Sequence, residues 1–104
     1  MSQEGVNPLC GDRVRLQLRI DGDTVTQARF TANACAICVA SASILTELVR
    51  DAPLIDISSL TVDDLVTALK ADIPRARMQC IRLPLTVLHT GLRRLQQEKG
   101  EDAP

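Results

Sequence analysis

Between Arg13 and Ile20 every second residue is apolar, with Val14, Leu16, Leu18 and Ile20 on one side and Arg13, Arg15, Gln17 and Arg19 on the other. A period of two fits a strand with one buried face and one wet face, and it fits no helix. Asp21-Gly22-Asp23 follows as a hairpin signal, since glycine accepts positive φ. Thr24 to Thr31 reads as the returning antiparallel strand, with Thr26, Ala28 and Phe30 on one side. From Ile37 the period lengthens. Ile37, Ser41, Ile44, Leu45 and Leu48 recur at helical spacing up to Arg50, and Pro53 ends the helix or sits just beyond it. Thr61-x-x-Asp64 resembles a capping box opening a second helix, with Leu60 placed to staple onto Leu65 and a stripe of Val62, Leu65, Val66 and Leu69. After Ile73-Pro74 a last helix carries Ile81, Leu85, Leu88, Leu92 and Leu95 and closes at Gly100. A hairpin followed by helices predicts an α+β fold. The expected architecture is a small antiparallel sheet, with room for a third strand, packed by helices on one face.

The chain of 104 residues makes one domain, 1–104, with residues 1–6 and 100–104 expected to fray. Its 45% apolar and 24% charged residues exclude disorder. No run approaches the roughly 18 apolar residues of a membrane span, and Met1 leads into polar sequence rather than a signal-peptide core. The expected compartment is therefore the cytoplasm. Phe30 is the only aromatic residue and the net charge is −1. A single-strand nucleic-acid binder needs stacking rings and a basic groove, so no nucleic-acid partner is expected. Basic residues gather late in the chain, as Lys70, Arg75, Arg77, Arg82, Arg93, Arg94 and Lys99 around Cys80. Arg93, Arg94 and Lys99 read as a solvated helix face. Arg75 and Arg77 carry a second reading, because cations beside a thiol favour the thiolate.

Four cysteines in a reducing compartment read as metal ligands or redox groups before disulfides. Cys10 stands just ahead of the first strand, and Gly11 lets the chain bend there. In extended chain Cys10 and Asp12 point to the same side. Cys35 lies at a helix start, where the helix dipole favours thiolate. Cys80 is expected just before the last helix. Three thiols and one carboxylate make a plausible four-ligand set for zinc or an iron–sulfur centre. The competing reading makes Asp12 a turn residue, and spacing alone leaves both open. Cys38, inside the helical pattern, reads as small core filler. Cys35-x-x-Cys38 has neither the βαβ context of a redox motif nor the second pair of a zinc knuckle. His89, on the flank of the last helix, has no second His or nearby Cys in support and reads as a boundary residue.

These residues resemble a known family. Asn7-Pro8-Leu9-Cys10-Gly11-Asp12 is similar to the N-P-x-C-G-D signature of iron–sulfur scaffold proteins of the IscU, SufU and NifU N-terminal type. Phe30 to Ser43 is similar to their F-x-G-x-G-C-x-I-x-x-A-S-x-S segment, and Pro74 to Cys80 to their third-cysteine segment, with a basic residue three before the Cys. The three matches come in the family's order and cover residues 7 to about 97. Four departures stand out. Ala32 and Ala34 replace glycines, and Gln79 stands where IscU-type members have His. Ile73-Pro74-Arg75-Ala76-Arg77 echoes the chaperone motif without its second proline. The SufU insertion is absent.

The resemblance implies that Cys10, Asp12, Cys35 and Cys80 hold a transient [2Fe–2S] cluster, iron or Zn2+, with Cys38 as a further candidate ligand. It implies a non-enzymatic scaffold that accepts sulfur from a cysteine desulfurase and passes a cluster or sulfur to apo iron–sulfur proteins. Cys80 would be the sulfur acceptor on the IscU branch and Cys10 on the SufU branch. Two other readings stand beside it: a zinc-binding structural or regulatory paralogue that builds no cluster, and a thiol oxidoreductase using Cys35 and Cys38.

Overall fold

The alternation at residues 13–20 becomes the middle strand of the sheet. The computed structural model describes residues 1–8 and 11–101, the last four in backbone only. Strand β1 (Ser2–Val6) is followed by β2 (Arg13–Asp21) and β3 (Thr24–Asn33). The helices are α1 (Ala36–Val49), α2 (Leu54–Ser58), α3 (Val62–Leu69) and, after a 3-10 turn at Arg75–Arg77, α4 (Met78–Glu101). The strands form one antiparallel sheet in the order β1-β2-β3. Val14, Leu16 and Leu18 are buried, while Arg13, Arg15, Gln17 and Arg19 face solvent. Gly22, at the hairpin tip, has φ +63°.

The strands and the last helix differ from expectation in three places. Within residues 1–6, read as a loose end, Ser2–Val6 forms a strand that pairs with β2 from Ser2↔Gln17 to Val6↔Arg13. This strand hid in the sequence because it meets α4 through Gly5, where a Cβ would run into Val87 Cγ2. Thr26 does not share a face with Ala28. A bulge pairs Ile20 with Val25 and Arg19 with Gln27, so Thr26 turns outward and donates from its hydroxyl to the Arg19 carbonyl at 3.2 Å. Val25 is buried in its place. At the other end of the chain α4 continues through Gly100 to Glu101, while residues 102–104 lie outside the description.

Helix α1 is turned relative to the expected stripe. It buries Cys38, Ser41, Ala42, Leu45, Thr46 and Val49, whereas Leu48 is exposed. Small side chains on this face bring α1 close to its neighbours. Pro53 serves as the N-cap of α2, a short helix the periodicity did not reveal, and Thr24 bridges to Pro53. Thr61 and Asp64 form the capping box, the Thr61 backbone N–H donating to Asp64 Oδ2 at 2.8 Å and the Asp64 N–H to Thr61 Oγ1 at 3.3 Å. Losing such a cap costs about 1 kcal/mol, so Thr61→Ala should lower the denaturant midpoint by that equivalent without changing the slope.

Helix α4 supplies Ile81, Leu85, Leu88 and Leu92 to the core, and Pro84 lies inside it. Among the described residues no helix is long and apolar enough to cross a membrane.

Candidate metal centre

Asp12 sits where the chain enters β2. The Asn7 N–H donates to the Asp12 carbonyl and the Gly11 N–H to the Asn7 carbonyl, each at 2.8 Å, which pins the base of the preceding loop. Gly11 has φ +73°, a conformation other residues adopt only at a cost. Cys10, inside this loop, lies outside the described residues. The Asp12 side chain is buried, at 7% exposure. Its Oδ1 accepts from the Cys35 backbone N–H at 3.2 Å, while its Oδ2 is buried with no hydrogen-bond partner among the described residues.

Cys35 is the N-cap of α1, and its own carbonyl accepts the first helical bond, from the Val39 N–H. Its side chain makes no capping bond, so the thiol remains available to the site. Cys80 is buried in the first turn of α4. The expectation that it precedes the helix is corrected, because the 3-10 turn starts α4 at Met78. One ligand atom from each of Asp12, Cys35 and Cys80 can be chosen so that all three lie within 4.8 Å of one another.

A carboxylate oxygen without a donor, buried beside two thiols, is costly unless something positive meets it. A tetrahedral ion with sulfur at about 2.3 Å and oxygen at about 2.0–2.2 Å needs its ligands roughly 3.3–3.8 Å apart, so the group needs only a small contraction. Two thiolates and a carboxylate suit zinc or iron.

The other singled-out residues fall elsewhere. Cys38 is wholly buried on the core face of α1 and is not part of the gathered group. No disulfide joins Cys35, Cys38 and Cys80. Arg75 and Arg77 are exposed and make no ion pair with any described acid. Arg93 and Arg94 are exposed on α4, while the Lys99 side chain lies outside the described residues. His89 is half-buried in a separate hollow with Ser58, Leu92, Arg93 and Gln96.

Taken together, a three-stranded antiparallel sheet packed by helices, with a Cys/Asp group gathered from three element starts, defines a small α+β domain with a candidate metal centre. The chain belongs to the family described as the NifU-like N terminal domain, matched over residues 2–102, the family of the IscU and SufU iron–sulfur cluster assembly scaffolds. It is 48% identical over 44 residues to the zinc-dependent sulfurtransferase SufU of Bacillus subtilis, covering 42% of this chain and 30% of that protein. It is 30% identical over 99 residues to the bifunctional protein NifU/MnmA of Rubrobacter xylanophilus, covering 94% of this chain and 20% of that protein. The scaffold protein IscU of Aquifex aeolicus is 28% identical over 96 residues, covering 90% and 60%. This chain thus spans between a fifth and three fifths of these relatives. Among solved structures, the NifU-like N-terminal protein of Brucella abortus superposes with a TM-score of 0.73 at 21% identity, covering 93% and 79% of the two chains. The scaffold protein of Fervidobacterium islandicum gives 0.69 at 22%, covering 86% and 77%. Both share the fold.

Proposed function

We propose that this domain is a scaffold on which an iron–sulfur cluster is assembled and from which it is released. Asp12, Cys35 and Cys80, with Cys10 from the adjoining loop, hold iron or zinc. Sulfur arrives from a cysteine desulfurase as persulfide: a thiolate of the site attacks the terminal sulfur, that S–S bond breaks, and the desulfurase thiolate leaves. An external electron donor, a thiol or a redox protein, then supplies the two electrons that cleave the new S–S bond and turn its outer sulfur into cluster sulfide. Cys80 is the preferred acceptor and Cys10 the second. The cargo then passes to apo iron–sulfur proteins in the cytoplasm. The observation that carries this reading is the buried Asp12 carboxyl, gathered with the Cys35 and Cys80 thiols and with its Oδ2 unpartnered among the described residues. A carboxylate is a harder ligand than thiolate and grips iron–sulfur cargo less firmly, which suits a protein that must let go.

A second reading has an observation of its own. A segment of 44 residues is 48% identical to a zinc-dependent sulfurtransferase, and in this second reading the site retains zinc and relays sulfur without building a cluster.

Anaerobic incubation with ferrous iron, cysteine, a desulfurase and a dithiol reductant separates these readings. The scaffold should develop a stable visible chromophore with stoichiometric sulfide. Tight zinc without a chromophore supports the second reading, and reversible Cys35–Cys38 disulfide turnover would support an oxidoreductase. Asp12→Ala should keep or prolong the cluster while slowing its transfer to an acceptor. Unchanged lifetime with unchanged transfer would make Asp12 a turn residue.

A further inference from the structure

Ser41 belongs to the motif that follows Cys35, yet nothing above gives it a task. It is 0% exposed. A serine inside a helix ordinarily turns to solvent or back-bonds to its own helix. Ser41 does neither. Its hydroxyl crosses to α4 and donates to the Ile81 carbonyl at 3.0 Å, a bond buried at both ends.

The place of this bond is informative. Ile81 directly follows Cys80, and Ser41 lies about 9 Å along the helix from Cys35, at 1.5 Å per residue. Cys38 and Ala42, also 0% exposed, flank Ser41 on the same face and let the two backbones approach. Pro84 lies inside α4 and has no N–H, so the helix's own ladder has one donor fewer in this stretch. The turn carrying Cys80 is therefore fixed in part from outside α4, by a donor on the helix that carries Cys35.

We infer that Ser41 is a positioning residue for the metal centre: its bond to the Ile81 carbonyl sets the separation and orientation of the Cys35 and Cys80 thiols. This rests on the proposed reading that Asp12, Cys35 and Cys80 hold a metal. Ser41 touches no cargo itself. It acts by keeping two helix starts in register, as outer-sphere partners hold ligands in other metal sites.

The test uses Co2+ as the probe, read by its visible ligand-field and thiolate charge-transfer bands and by competition with a chelator. Ser41→Ala is compared with Ile57→Val, a substitution of a buried core residue in α2, with both melting temperatures recorded. Ser41→Ala should weaken Co2+ about tenfold, the lower end for lost outer-sphere support, and shift the visible bands. Ile57→Val should lower the melting temperature while leaving spectrum and affinity unchanged. Ser41→Ala with wild-type affinity and spectrum would overturn the inference, and so would Ile57→Val weakening Co2+ as much. Failure of the unaltered protein to bind Co2+ would overturn the metal-centre reading and this inference together, whereas a normal Ser41→Ala overturns this one alone.

Discussion

Replacing Cys35 or Cys80 by serine is expected to remove bound zinc or Co2+ by more than the roughly 10–100-fold that follows loss of an outer-sphere partner. Each substitution removes one of the thiols gathered around Asp12 and leaves an alcohol that is a poor ligand for a soft site. Cys38→Ser is the matched control. It places a hydroxyl at a fully buried position and should cost stability, about 1–3 kcal/mol, yet keep the metal. Chelator competition on all three variants is the measurement. Equal loss from Cys35→Ser and Cys38→Ser would make Cys38 a ligand.

Leu88→Ala is expected to have the largest effect on stability. Leu88 is 0% exposed on the core face of α4, and truncating such a leucine removes about 2–5 kcal/mol. For a domain of this size that lowers the melting temperature by at least about 10 °C. The metal-free wild-type protein should still unfold cooperatively, because a chain this long buries roughly two thirds of its surface without a metal's help. Calorimetry of both proteins without metal checks this. A wild-type apo protein with no cooperative transition would show that the core depends on its cargo.

The parts of this fold that could be read from sequence are those in which large side chains mark the buried face. Val14, Leu16 and Leu18 declare β2, and Ile81, Leu85, Leu88 and Leu92 declare α4. What escaped was built from small or missing side chains. Gly5 lets β1 lie against α4 by having no Cβ, so that strand shows no alternation. Cys38, Ser41 and Ala42 form the buried face of α1, and the larger Ile44 and Leu48 drew the expected stripe around the helix. A bulge of one residue redirected Thr26, which no periodicity can foresee. At the site the motifs singled out Asp12, Cys35 and Cys80. The hydrogen bond from Ser41 to a backbone carbonyl forty residues on has no local signature.

Asp12, Cys35 and Cys80 come from the start of the sheet's middle strand, the first helix and the last helix. That distribution fixes when binding becomes available during synthesis. At about 5–20 residues per second, a ribosome needs roughly 2–9 s to travel from Cys35 to Cys80. Throughout that interval the emerging chain lacks one thiol and the helix that buries it. The long loop between the two cysteines must also close before they meet, so the thiols come together late in folding. On the proposed reading, a half-made chain therefore has only a partial grip on metal, and the complete site is reserved for the finished domain.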